Sequence, residues 1–446
     1  MSKFTATITA KSKDKRFEQI KRYLGLNNYE VTPHIDPKAT GYVVTGVGPA
    51  PLTNPTIAQL AEQLGLLLPK TSSTYDLVVI GGGPAGLAAA INARSLYGLS
   101  TLIIEQYAPG GTAATSINEI DNYFGFDDGI QSELLCHKAV VQAKKFGAEW
   151  LPSYGVTGLK LSDNPKATKH KITATNSEGS PDVTVEASLI LLATGLEPRK
   201  LAQKTAADFE DQGIYYYALP GDAEGVTKKD TIMVIGGGDS AGRAALMFSA
   251  KGANVILLIR GTAGADMLKA VYDMVKDDTN IKVVDKTEAI EFKASVTPNA
   301  KLTVSVGATG SVIVTASYDV TAVYALISAD PKTKWIEDAG ITVIRKDPKA
   351  PCGFVATDLD IYYDAMKAGT FDPKKYAEEL KVRTAMATNK PGVFAAGDVR
   401  FRSERRIPSA VGEGTAAALA MSNYLLGKPQ FLDAVIGRAA PAYYLA

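Results

Sequence analysis

Cysteine is nearly absent. The 446 residues contain two, Cys136 and Cys352, with no CxxC pair, zinc-knuckle spacing or ladder of a disulfide framework. Charge of one sign is missing too: 48 Lys and Arg face 47 Asp and Glu, a formal net charge of +1, so composition offers nothing to collect nucleic-acid phosphates or an anionic membrane surface. No apolar run approaches the ~18 residues of a membrane span. The opening MSKFTATITAKSKDKRFEQ lacks the apolar core and small-residue cleavage site of a secretory signal. These absences predict a cytoplasmic chain without nucleic-acid or membrane partners. The three histidines, His34, His137 and His170, are scattered, with no carboxylate pair or His–Cys group beside them. No metal site and no hydrolytic triad is expected.

What is present is a duplication. At roughly 150 residues per domain the length predicts about three domains, and 40 Gly with 22 Pro is ordinary usage for a chain that folds. From Tyr75 the sequence reads YDLVVI, GGGPAG, LAAAINARSLYGL and STLIIE: a β-rich run, a glycine turn, a helical run and a second apolar strand. From Asp230, DTIMVI, GGGDSA, GRAALMFSAKG and ANVILLIR repeat that order. Residues 81 and 236 are 155 apart, as are residues 105 and 260, which predicts two βαβ units aligned without a gap.

The flanking segments are less regular. FEQIKRYLGL and PTIAQLAEQLGLL read as amphipathic helices and GYVVTGV as a strand, ahead of a linker at Pro69. After the second unit, KVVDKTEAIEFKA and KLTVSVGATGSVIVTASYDV alternate as antiparallel strands do, and TAVYALISAD reads as a returning strand. PGVFAAGDV gives a strand ending at Asp398, and PSAVGEGTAAALAMSNYLL a helix of about four turns. Ile361 to Tyr376 reads as an irregular insertion, and DPKKYAEELKVR as a solvated helix face.

Gly81, Gly83 and Gly86 form GxGxxG directly after a strand and at the start of a helix. Glycines there permit a tight turn and let the backbone approach a pyrophosphate, whose charge meets the free N–H groups of the helix start. Glu105 follows 24 residues after Gly81, at the end of the next strand, where an acid accepts hydrogen bonds from both ribose hydroxyls. That favours an adenosine ribose without a 2′-phosphate. In the second unit Gly236, Gly238 and Ala241 take the glycine places, and Arg260 takes the count of Glu105. A guanidinium there pairs with a 2′-phosphate, or is simply solvated at a strand end, and both readings stand. Two dinucleotides follow: FAD in the first unit and a nicotinamide, NADPH before NADH, in the second.

GGGPAG, Glu105, PGGTAATSINEIDNYFGF, LLATG at Leu191 to Gly195 and GVFAAGDV at Gly392 to Val399 together resemble the thioredoxin-reductase-like flavoproteins. The resemblance runs from about Tyr75 to the C-terminus. It implies an α/β fold of two Rossmann-like, three-layer FAD- and NAD(P)-binding domains. The FAD domain would comprise residues 75–200 and 329–446, with the NAD(P)-binding-like domain, 201–328, inserted between. Residues 1–74 would form a small extension, whose RFEQIKRYLGL to GVGPA part resembles a trimmed thioredoxin-like half-domain. The resemblance implies that Gly81, Gly83, Pro84, Ala85, Gly86 and Glu105 hold the ADP half of FAD. Gly110, Gly111, Asn122, Ala193, Thr194, Gly195, Gly397 and Asp398 would line the remainder, with Asp398 on the ribityl-pyrophosphate. Arg405, Arg406 and Ile407 fall where the family's Arg-Gln-Ala touches the flavin ring, so only the first residue is kept. Thr112 replaces a usual Gln, in a loop one residue longer than the pattern. Gly236, Gly238, Asp239, Ser240, Ala241 and Arg260 would take the nicotinamide dinucleotide. A homodimer is expected on the same ground.

Two departures matter. Where the family carries Cys-Ala-Thr-Cys, this chain has Tyr217, Ala218, Leu219 and Pro220, and without a thiolate there is no disulfide relay by that route. The run Tyr215 to Tyr217 either sets a phenol against the flavin ring or packs a β-edge. The family's His-Arg-Arg run is reduced to Ile259, Arg260 and Gly261. The sequence therefore supports an FAD-dependent oxidoreductase that passes hydride from NAD(P)H to FAD and on to an unknown small-molecule or protein acceptor. It also leaves open a flavin-bearing regulatory or binding module with a vestigial nicotinamide site, or a flavoprotein fed by a protein donor such as ferredoxin.

Overall fold

The computed structural model describes residues 4–427 apart from 13–14, 28, 67–73, 115–118, 121, 177, 179–180, 224, 346, 349 and 373–384. The linker at Pro69, most of DPKKYAEELKVR and part of the 112–122 loop lie outside the described residues. The chain divides into two compact units, one of residues 1–46, 115–134 and 197–330, the other of residues 47–114, 135–196 and 331–446.

The unit holding the first glycine motif is built on a seven-stranded sheet. Its order is Tyr154–Lys160, His170–Asn176, Val183–Leu192, Thr74–Ile80, Thr101–Glu105 and Glu149–Pro152, with Val393–Ala395 also pairing with Val183–Leu192. The central strands pair in parallel, and Ile80 lies opposite both Leu192 and Ile104. Leu77, Val78, Val79, Leu102 and Ile103 are fully buried, as befits a parallel sheet covered on both faces. Helix Pro84–Ser95 starts with Pro in its first turn, and its Leu87, Ala88, Ala89, Ala90 and Ala93 are buried. Helix Ile407–Leu426 packs tightly on it, because a Cβ at Gly414 would lie 2.1 Å from the Ala85 carbonyl oxygen. This helix has 20 residues, about five and a half turns rather than the expected four, and ends where Gly427 adopts φ +62°.

The other unit carries a parallel sheet ordered Ile214–Tyr215, Ala322–Ala325, Thr231–Ile235, Asn254–Leu258 and Ile281–Val284. The alternating segments downstream form an antiparallel ribbon of Thr287–Ala294, Leu302–Ala308 and Ala316–Val320. At its N-terminal end, Phe4–Ala10 pairs in parallel with Tyr29–Ile35 across helix Lys15–Leu26, and antiparallel with Val43–Thr45.

The expected extension of residues 1–74 is divided between the units. Helix Ile57–Gln63 belongs to the seven-stranded unit, where Glu178 accepts the Ile57 N–H at 2.9 Å and Lys144 donates to the Leu64 carbonyl at 2.5 Å. The insertion near Ile361 opens with a 3₁₀ turn, Asp358–Tyr362, and a short helix, Tyr363–Lys367.

Candidate cofactor sites

The first glycine turn is built by close approach. Gly81 has φ +106°, and a Cβ on it would lie 2.3 Å from the Ala193 carbonyl oxygen; a Cβ on Gly86 would lie 2.0 Å from the Gly81 carbonyl oxygen. The chain thus crosses the end of strand Val183–Leu192 with no room for a side chain. Gly83 caps the helix and Pro84 and Ala85 open it, so unpaired N–H groups face outward at the helix start. Gly110 and Gly111, at φ +102° and +60°, close against the turn: the Gly110 N–H donates to the Gly82 carbonyl at 2.8 Å.

Glu105 ends its strand beneath this turn and is buried. Its two carboxylate oxygens accept the N–H groups of Gly82 at 2.7 Å and Tyr107 at 2.8 Å. Burial pushes the carboxyl above its ordinary range, while those donors and the Gln106 N–H pull it back. Three N–H donors leave one of the roughly four lone-pair positions of the carboxylate open to a further donor such as a hydroxyl. Beside Ala193, the Thr194 hydroxyl is buried with no hydrogen-bond partner among the described residues, which leaves it for a bound group.

Asp398 and its neighbours come from the strand Val393–Ala395 and the helix Ile407–Leu426. Gly397 turns at φ +78°, and its N–H donates to Glu413 at 2.7 Å. The half-buried Asp398 carboxyl is raised by burial, lowered by Arg405 and raised again by Glu413. Arg405 is exposed at φ +54°, with its guanidinium 4.9 Å from the centre of the Phe354 ring; Arg406 caps the long helix and Ile407 opens it. Asn122 is exposed and falls in the other unit. Glu413 and Arg400 were not singled out by sequence; their pairing joins a loop to a helix and leaves no local pattern.

The second glycine turn repeats the first up to its helix. Gly236 turns at φ +152°, and a Cβ on it would meet the Leu326 carbonyl oxygen at 2.4 Å. Gly238 caps the helix Asp239–Ser249, the Asp239 carboxylate accepts the Leu268 N–H at 2.6 Å, Ser240 is exposed and Ala241 buried.

Beyond that helix the gap-free alignment fails. The Gly81 N–H donates to the Ile104 carbonyl, and the Gly236 N–H to that of Leu258, one residue earlier than an offset of 155 requires. Ile80 pairs with Ile104, but Ile235 with Leu258. The residue in the place of Glu105 is therefore Ile259, buried with its Cγ2 3.1 Å from a Cβ built on Gly237, and Arg260 lies one residue further on, exposed. The connection from helix to strand is one residue shorter in this unit.

The tyrosine run packs. Tyr215 stacks on Tyr324 with ring centres 5.3 Å apart, Tyr216 is buried and accepts the Leu201 N–H at 3.3 Å, and Tyr217 lies against the apolar core of its unit. Among the described residues no group of three or more His, Cys, Asp and Glu is placed to hold a metal ion, and no helix is long and apolar enough to cross a membrane.

A parallel sheet, a side-chain-free turn at a helix start, a buried ribose-facing acid and an unpartnered hydroxyl define a dinucleotide-binding protein, and the residues present fit FAD. The chain belongs to the pyridine nucleotide-disulphide oxidoreductase family, whose model matches residues 75–349. It is 30% identical over 365 residues to a thioredoxin reductase of Listeria monocytogenes, covering 81% of this chain and 97% of that protein. The solved thioredoxin reductase of Lactococcus lactis matches with a TM-score of 0.61 at 26% identity, over 79% of this chain and 99% of that one. That of T. acidophilum shares the fold, with a TM-score of 0.61 at 22% identity, over 79% and 99%. The chain is a thioredoxin-reductase-like FAD/NAD(P) oxidoreductase, and its relatives indicate FAD and NADPH as the cofactors.

Proposed function

We propose that this oxidoreductase passes electrons to an acceptor that is not a disulfide of its own. The observation that carries this is the Tyr217 to Pro220 segment, where the family keeps its redox pair. Tyr215 and Tyr216 just before it are engaged in packing, and Ala218 is buried. Cys136, buried in the other unit, and Cys352 are not joined in a disulfide and stand far from it in sequence.

FAD supplies the chemistry when bound, accepting hydride from a nicotinamide and releasing electrons onward. The protein's part is positioning. The turn from Gly81 to Gly86 and the helix start receive a pyrophosphate, Glu105 receives the ribose hydroxyls, and Thr194 and Asp398 offer a hydroxyl and a carboxylate further along the cofactor. In the second unit, Gly236, Gly238, Asp239, Ser240 and Ala241 form the matching turn. Arg260 is the cation offered to a 2′-phosphate.

Anaerobic mixing of the purified flavoprotein with NADPH and, separately, NADH tests the reading. Bleaching of the flavin band within seconds, faster with NADPH, is expected, with no free thiol gained on reduction. Bleaching with neither nicotinamide would leave a flavin-binding module, and bleaching by reduced ferredoxin alone would make a protein the donor. Appearance of protein thiols in step with flavin reduction would restore a disulfide route.

A further inference from the structure

One buried ion pair has no place in the reading above. Glu413, on the first turns of helix Ile407–Leu426, accepts the Gly397 N–H at 2.7 Å and Arg400 Nε at 3.1 Å on Oε2, and Arg400 Nη2 at 2.8 Å on Oε1. The two side chains are only 14% and 12% exposed. The remaining guanidinium nitrogen of Arg400 donates to the Thr357 hydroxyl at 3.1 Å, and Thr357 is fully buried at the mouth of the 358–367 insertion. Three of the five guanidinium N–H groups are engaged, all three nitrogens taking part, and Glu413 also grips the Ala396–Gly397 peptide just before Asp398.

The geometry matters because Gly397 is at φ +78° and a Cβ on it would meet the Ala85 side chain at 2.9 Å. The Gly397–Asp398 turn is thus wedged against the helix that begins at the first glycine motif. Its direction is set by what holds the Gly397 N–H. Among the described residues no hydrogen bond fixes the Asp398 carboxylate, which feels Arg405 only through its charge, so its aim follows the backbone. Nearby, Arg402 donates to Asp360 at 3.1 Å, which ties the insertion a second time to the segment after the turn.

We propose that Glu413 is a positioning residue for the FAD site: clamped by Arg400, it fixes the Gly397–Asp398 turn so that the Asp398 carboxylate faces the cofactor. This rests on FAD occupying the crevice of the first glycine turn. It makes Glu413 act through Asp398 and not by contact with the cofactor. It also gives the insertion a role, since Thr357 holds Arg400 in the plane that Glu413 needs.

The test is FAD affinity of apo-protein, read by flavin fluorescence quenching, for the wild type, Glu413→Gln, Asp398→Asn and the double variant. Glu413→Gln keeps an oxygen acceptor but breaks the two-point grip on Arg400. A tenfold to hundredfold weaker FAD complex is expected, with a shifted visible flavin band. If Glu413 works through Asp398, the double variant binds no more weakly than Asp398→Asn alone, since the two losses share one cause. Losses that multiply, or an unchanged affinity in Glu413→Gln, overturn the proposal. Should Glu413→Gln not fold, Arg400→Lys decides: it keeps the charge and loses the fork, and it is expected to weaken FAD several-fold, whereas unchanged affinity refutes the role of the pair. A wild type that takes up no FAD would instead sink the cofactor reading on which the proposal stands.

Discussion

The two glycine turns begin alike and end differently. Both open with a glycine that no other residue could replace, Gly81 against the Ala193 carbonyl and Gly236 against that of Leu326. Both cap a helix with a third glycine, Gly83 or Gly238. Past the helix, the first unit brings a buried carboxylate under its turn and the second brings the buried methyls of Ile259. On the proposed reading, the shared part serves the pyrophosphate that every dinucleotide has. The divergent part faces the ribose, where FAD and NADPH differ. An apolar side chain at that place withdraws the acceptor an unphosphorylated ribose wants, and it also withdraws the negative charge that would repel a 2′-phosphate.

The most disruptive way to break the parallel is at the third motif position. Gly86→Ala would put a methyl 2.0 Å from the Gly81 oxygen, a backbone atom that cannot yield, and at least about 3 kcal/mol of local stability should be lost. Ala241 already occupies the matching place, so Ala241→Gly should cost no more than about 1 kcal/mol. Amide exchange read peptide by peptide separates the two units. Equal losses would mean that the turns are not built differently.

The units should also differ in acid. His170 is buried in the unit of the first turn, its Nδ1 accepts the Ser162 N–H at 3.0 Å, and burial pushes its pKa down to about 4. The unfolded chain, with an ordinary histidine, binds a proton that the native one refuses between about pH 6.5 and 4. Stability from this group is therefore complete above about pH 6.5 and falls as the pH drops toward 4, by up to roughly 3 kcal/mol. His34, in the other unit, is exposed. His170→Asn keeps an acceptor for Ser162. The loss in wild type relative to this variant, followed by thermal melts from pH 7 to pH 4, should appear in the first-turn unit alone.

Next come the residues under the turns. Glu105→Gln leaves one of two backbone donors facing an amide NH₂, and FAD affinity should fall about thirtyfold, or roughly 2 kcal/mol. Ile259→Glu runs the comparison backwards by supplying the missing acid beneath Gly237. Calorimetry with 2′,5′-ADP and 5′-ADP should show the phosphorylated ligand losing about tenfold relative to the other, near 1.4 kcal/mol. No change in that ratio would place the ribose elsewhere.

Much of this was legible from residues alone. The glycine spacing, the strand and helix on either side and the acid 24 residues on all stand where counting put them. What counting missed was the slip. An offset of 155 joins Glu105 to Arg260, but VILLI within ANVILLIR is apolar throughout, and a strand buried on both faces has no alternation to fix its register. The Gly236 to Leu258 hydrogen bond and the pairing of Ile235 with Leu258 reveal that the strand ends one residue early. The Glu413–Arg400 pair escaped for a related reason. A charge within a small-residue helix looks solvated until the loop carrying Arg400 is seen to fold over it.

The slip also sharpens what Arg260 can do. Its carbonyl accepts the Thr309 hydroxyl at 2.7 Å, and the next carbonyl, that of Gly261, accepts the Lys286 N–H at 2.9 Å, so the backbone after the strand is fixed while the side chain stays exposed. Backbone and guanidinium therefore have separable roles. Arg260→Ala keeps every one of those hydrogen bonds, so stability should hold within about 0.5 kcal/mol. The cation alone is lost, and an exposed ion pair with a phosphate is worth under about 1 kcal/mol, so the KM for NADPH should rise no more than about fivefold and less as salt is added. The KM for NADH, which has no 2′-phosphate, should not move. A parallel rise for both nucleotides would assign Arg260 to the pyrophosphate or to the shape of the loop, and any preference of the second turn for NADPH would then rest on Ile259 alone.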